Sequence, residues 1–229
     1  MTTIRKGAEI AARMAIAVRT EELFRASGAL REGHFLLKSG RHSDVYLEKF
    51  AVLSDPAATS ELVGFWTAMH RDEDGLVRID LVAGPTTGGV ILAFETGRQL
   101  GVRAIFAEEV TNVDGTRRRE FRRGFMIEKG ERVVLVDDIL TTGGSLVAMI
   151  PAVEEAGGTI LACHVIVDRS GARLSTIASQ TTGHHYPLDA LWSLDLPTYE
   201  AGASTCPRCA AGEPLIAPGS TGVHGGAAG

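Results

Sequence analysis

The chain has few cysteines, no excess of positive charge and no long apolar run. Three cysteines in 229 residues are too few for a disulfide scaffold, and with seven histidines they fit a reducing cytosol. Lysine and arginine number 23 against 28 aspartate and glutamate, and a net charge of −5 gives no support to a nucleic-acid surface. No apolar stretch reaches the about 18 residues of a membrane span. The N-terminus does not read as a secretory signal, because Glu9, Arg13 and Arg19 interrupt its apolar positions. Internal repeats are also missing. What is left is a cytoplasmic globular chain of ordinary composition, 45% hydrophobic and 22% charged, long enough for one domain with appendages.

The most informative stretch is 133–145. Val133, Val134, Leu135 and Val136 read as a buried strand, and Asp137 and Asp138 end it. The next residues, Ile139, Leu140, Thr141, Thr142, Gly143, Gly144 and Ser145, lead through a small hydroxyl- and glycine-rich loop into a helix. Backbone N–H groups at a helix N-terminus and three hydroxyls suit a phosphomonoester. The carboxylate pair one step upstream suits sugar hydroxyls or a divalent cation. A phosphate loop beside such a pair describes a phosphoribosyl group. The P-loop pattern fails for want of a lysine after Gly144, and the G-x-G-x-x-G dinucleotide spacing is absent.

A second strand–loop–helix unit runs from 79–83 through Gly84, Pro85, Thr86, Thr87, Gly88 and Gly89 into a helix over 90–100, and can host a second anion. Upstream, 5–19 reads as an extension helix. A separate helix is expected from Thr20, which is a suitable N-cap, and a hairpin over 33–47 turns at Ser39 and Gly40. A helix over 56–71 begins at Pro56, with Leu62, Phe65 and Met69 on one face. After a strand at 104–107, residues 108–124 read as a mobile loop carrying Arg117, Arg118, Arg119, Arg122 and Arg123. That cluster is either an anion site or a solvated basic surface. Further strands are expected at 125–127, 160–167 and 191–194, and a helix at 145–156 contains Pro151. Arg169 closes the 160–167 strand at the end where parallel sheets bind ligands. Cys206-Pro-Arg-Cys209 is half of a zinc site. His184 and His185 are candidates for the other half, although adjacent histidines seldom share one metal. The glycine- and alanine-rich end, 218–229, is expected to be disordered.

Residues 133–145 resemble the phosphoribosyl pyrophosphate (PRPP) motif of type I phosphoribosyltransferases. The hairpin, in which Lys38, Ser39, Gly40, Ser43 and Tyr46 stand in register, is similar to the N-terminal hood of orotate phosphoribosyltransferases. The likeness covers roughly 20–217, with the motifs in family order. It implies an α/β fold, a central mostly parallel sheet flanked by helices, with the hood hairpin at 33–47 inside a domain of 20–200. Residues 1–19 would be an extension and 201–217 a C-terminal appendage. The implied reaction joins orotate to PRPP, with Mg²⁺, to give orotidine 5′-monophosphate and pyrophosphate. Asp137, Asp138 and Lys38 would be catalytic, and 137–145 would hold PRPP. Thr86, Thr87, Gly88, Arg117, Arg118 and Arg119 would face pyrophosphate. Thr141, Arg169, Lys38 and Tyr46 would hold orotate, and Mg²⁺ would come with PRPP, with Asp137 and Asp138 as available ligands. A homodimer is implied, with the 108–124 loop near the partner's site. Two departures stand out. Gly88 replaces a lysine common in the family, and Glu108 and Glu109 stand where a basic loop residue is usual. A phosphoribosyltransferase for another base, a non-catalytic PRPP-binding regulator and a zinc-binding interaction module remain as alternatives.

Overall fold

A computed structural model of the chain describes residues 2–37 and 39–218. The core is a seven-stranded sheet in the order β5-β4-β3-β6-β7-β9-β8. Its five central strands run parallel: β4 (Arg103–Thr111), β3 (Leu81–Pro85), β6 (Arg132–Leu140), β7 (Thr159–Asp168) and β9 (His185–Ser193). The edges, β5 (Arg117–Phe121) and β8 (Thr176–Ala178), are antiparallel to their neighbours.

Both faces of the central strands are covered, which is why their sequences read as continuous apolar runs. On β6, Val134 and Val136 point into one core, while Val133 and Leu135 point into the other. The first core is closed by α1 (Thr2–Ala26), α2 (Lys49–Leu53), α3 (Pro56–Thr67) and α4 (Gly88–Leu100). Trp66 is fully buried there, and its indole N–H donates to Thr96 Oγ1 at 3.0 Å. Phe24 meets Trp192 edge to face at 5.7 Å. The second core lies under α5 (Gly144–Glu155), through Leu146, Met149, Ile150 and Val153.

The hood is a separate two-stranded hairpin, β1 (Leu30–Leu36) with β2 (His42–Leu47), whose register shifts between Glu32 and Phe35. No described helix is long and apolar enough to cross a membrane.

Four sequence expectations are corrected. There is no helix break at Thr20: α1 is continuous from Thr2 to Ala26, and Thr20 Oγ1 donates back to the Ile16 carbonyl at 2.8 Å instead of capping. The stretch 108–124 is not an open loop. The two strands β4 and β5 form a hairpin closed at 112–116, with Glu109 opposite Arg119. No strand forms at 125–127. α3 ends at Thr67, and Leu62, Val63 and Trp66 form its buried face, leaving Met69 exposed. Asp55 caps α3 by accepting from the Ala57 and Ala58 N–H groups, as the proline at N1 allows. Of the tail expected to be disordered, 219–229 lies outside the described residues.

Trp66→Ala should destabilise the fold by about 3–5 kcal/mol, because it opens a large cavity and removes the indole hydrogen bond to Thr96. Chemical denaturation monitored by circular dichroism measures this. A loss below about 1 kcal/mol would mean that the site collapses freely.

Candidate active site

The parallel strands end at one edge, and the strand-to-helix loops gather there. β6 delivers Asp137 and Asp138 to that edge, 7% and 4% exposed. Each carboxylate turns one oxygen to the next amide: Asp137 Oδ1 accepts from the Asp138 N–H at 2.8 Å, and Asp138 Oδ1 from the Ile139 N–H at 2.7 Å. Two neighbouring carboxylates so deeply buried require positive charge nearby. Lys49, at the start of α2, supplies it. Its Nζ donates to Asp138 Oδ1 at 2.9 Å and lies 2.7 Å from Oδ2. Burial first, and the Asp138 charge second, push the Asp137 carboxyl well above the ordinary carboxylate range, with Lys49 and Arg119 opposing them.

The loop after the pair is open to solvent at Thr141, Thr142 and Gly144. Gly143 takes a left-handed conformation, φ 77°, and directs the chain into α5, so the first-turn N–H groups face the cavity edge. A 360 Å³ cavity joins Asp137 and 139–146 to Glu109, Arg117, Arg118 and Arg119. These arginines differ. Strand alternation sends Arg118 toward Glu120, while Arg117 and Arg119 share the face of Glu109, at 3.4 and 3.8 Å. Arg119 is the buried one, and its Nη1–H donates to Thr86 Oγ1 at 2.9 Å and to the Thr86 carbonyl at 3.2 Å. It ties the β4–β5 hairpin to the second anion loop. Arg123 pairs with Glu108 at 2.7 Å, so Glu108 and Glu109 act here as partners for hairpin arginines.

Gly88 explains the absent lysine. A Cβ there would lie 1.8 Å from Asp138 Oδ2. A side chain at position 88 would therefore displace the Asp138 carboxylate from its observed place, and the cation beside the acidic pair comes from Lys49 instead. Lys49 was missed in the sequence because it stands 89 positions from its partner, and α2 has no strong sequence signal.

Arg169 and Tyr46 lie outside the 360 Å³ cavity. The Arg169 N–H donates to the Leu140 carbonyl at 2.7 Å, which puts its Cα beside the phosphate loop. Its Nε is buried without a hydrogen-bond partner, and burial lowers the guanidinium pKa, offset in part by Tyr46. Tyr46 packs against Phe35 with ring centroids 5.5 Å apart. Lys38 lies outside the described residues.

This arrangement can hold a phosphomonoester, a polyol and a second anion side by side. The profile of the phosphoribosyl transferase domain matches residues 58–188. Orotate phosphoribosyltransferase of Caldanaerobacter subterraneus subsp. tengcongensis is 41% identical over 199 residues, covering 87% of this chain and 95% of its own. The chain belongs to the orotate phosphoribosyltransferase family. The orotate phosphoribosyltransferase of Methylobacterium sp. (strain 4-46) is 42% identical over 199 residues, 87% of this chain and 93% of that one. The crystal structure of the Aeropyrum pernix family member superposes with a TM-score of 0.60 at 28% identity, covering 76% of this chain and 92% of that one.

The raised pKa of Asp137 gives a signed prediction. A carboxyl whose folded pKa exceeds its unfolded value favours the fold fully at low pH. That contribution is lost as pH rises from about 4, the unfolded value, through the folded one. Asp137→Asn removes the loss, so in ligand-free protein the variant should gain thermal midpoint over the parent as pH rises toward neutrality. Parallel profiles from acid to neutral pH would show that the carboxyl titrates normally.

Proposed function

We infer that the protein transfers the 5-phosphoribosyl group of PRPP to orotate, giving orotidine 5′-monophosphate and pyrophosphate in pyrimidine biosynthesis. The observation that carries this reading is the conjunction of the acidic pair and phosphate loop on β6 with a buried, unpartnered Arg169 donor beside them. The first serves a phosphoribosyl group. The second offers an unsatisfied cationic donor for an anionic base.

Breaking the C1–pyrophosphate bond builds positive charge on the ribose ring and negative charge on the leaving group. Residues 141–145 would hold the 5-phosphate, and this remote binding would orient C1. Asp137 and Asp138 would accept from the ribose hydroxyls and lie near the developing cation. Arg119 and Thr86, already joined, would receive the pyrophosphate, with Thr87, Gly88, Arg117 and Arg118 around it. Lys49 holds the Asp138 carboxylate in place through their ion pair. Arg169 would pair with the orotate carboxylate, with Thr141, Tyr46 and Lys38 about the ring. Orotate attacks as its anion, so no protein base is needed.

The donors at the acidic pair are all oxygens, which fits Mg²⁺. When bound with the diphosphate, the ion neutralises leaving-group charge. The catalytic unit would span 20–200, working in the cytoplasm as a homodimer. The exposed β4–β5 tip, with Val113 in solvent, would reach the partner's site.

Orotate consumption followed by ultraviolet absorbance should require PRPP and Mg²⁺ together. Heat protection by PRPP and Mg²⁺ without orotate loss would instead favour the other-base or regulator reading. Arg169→Gln should raise KM for orotate at least about tenfold, the cost of one charge-assisted contact, and leave KM for PRPP within about twofold. Equal rises in both would remove Arg169 from the base site.

A further inference from the structure

The C-terminal segment is not a loose appendage. Tyr199 and His42 exchange backbone hydrogen bonds at 2.8 Å. The Ile216 N–H donates to the His34 carbonyl, and the Leu36 N–H to the Ile216 carbonyl, both at 2.8 Å, so residue 216 extends the hood beside β1. Arg41 donates to Thr198 Oγ1 at 2.8 Å and pairs with Glu200. Between these two tethers, α6 (Pro207–Ala210) brings Cys206 and Cys209 against the hairpin.

There the two cysteines meet two histidines. His34 Nε2, His42 Nδ1, Cys206 Sγ and Cys209 Sγ all lie within 4.8 Å of one another. His34, His42 and Cys206 are 4%, 5% and 1% exposed. His184 and His185, the candidates from sequence, stand at the start of β9 and take no part. His34 is turned inward by the register shift between Glu32 and Phe35, which buries His34 and Phe35 in succession, against the alternation of a regular strand.

We propose that His34, His42, Cys206 and Cys209 bind one zinc ion, which fastens the C-terminal segment to the hood. Two thiolates and two neutral imidazoles balance the dication and form the S₂N₂ set that zinc takes as a tetrahedron. The spacing agrees. Tetrahedral zinc at ordinary bond lengths separates sulfur from nitrogen by about 3.5–3.6 Å. The observed Sγ–N distances are 3.3 Å for Cys209 with His42, 3.5 Å for Cys209 with His34 and 3.6 Å for Cys206 with His34. The imidazole pair, at 2.8 Å, must open to about 3.3 Å. Support behind the ligands is also in place. His34 Nδ1–H donates to the Glu213 carbonyl at 2.9 Å, which leaves the Nε2 lone pair facing the cluster. No open ligand position is left, so the site is structural, and it lies on the hairpin that carries Tyr46. This assignment does not depend on which base the enzyme uses.

The test is the metal content of the full-length protein, purified without chelator and dialysed into metal-free buffer. One zinc per chain is expected, falling to essentially none in both Cys209→Ser and His42→Ala. Replacement with Co²⁺ should give the intense visible bands of a tetrahedral site and a sulfur-to-cobalt charge-transfer band, which a cation on the acidic pair cannot produce. A chelator should lower the thermal midpoint of the parent but not of Cys209→Ser. Zinc retained in both variants would overturn the proposal. So would a folded parent that holds no zinc and takes none up, a Cys206–Cys209 disulfide in protein kept from oxidants, or, should the variants fail to fold, a cobalt-loaded parent without the sulfur band.

Discussion

Two adjacent carboxylates buried at the end of a central strand are the constraint around which the site is built. Neither would be tolerated there as an isolated charge. Asp138 is met by Lys49 from α2, and Asp137 is moved toward its neutral form by burial. The elements that answer this charge are far apart in the chain, and answering it draws them to one edge of the sheet. Gly88 belongs to the same arrangement, since a Cβ there would overlap the observed position of the Asp138 carboxylate.

A second layer of order surrounds that edge. The β4–β5 hairpin is held to the Thr86 loop by Arg119, and its remaining arginines are matched by Glu108, Glu109 and Glu120. The acidic residues that look foreign to a pyrophosphate-binding segment are thus the internal partners of a basic strand. Such exposed pairs contribute little stability each, so they can yield to a highly charged ligand at small cost. The hood is held from the other side, by the C-terminal segment and the four-residue cluster of cysteines and histidines.

The unit over 133–145 was readable in the sequence, because strand, acid pair, small residues and helix start are contiguous and each has a local cause. The parallel strands were readable for the same reason, as apolar runs buried on both faces. Boundaries were less secure. Thr20 has the character of an N-cap, yet α1 runs through it because its hydroxyl can bond back within the helix while Leu23 and Phe24 pack below. The 108–124 stretch reads as a loop because its charges mask the alternation, and pairing with β4 makes it a strand.

By itself, the sequence determined the fold class, the strand, acid pair, loop and helix start over 133–145 and the family likeness, since these rest on residues that are neighbours in the chain. Tertiary structure alone decided that Lys49 serves Asp138, that Arg119 among five arginines is the buried one, and that His34 and His42 are the histidines facing Cys206 and Cys209. Pairings of this kind are between side chains tens to well over a hundred positions apart. No local pattern encodes them, and only the packing of the hood and helices against the sheet brings the charges and ligands within reach of each other.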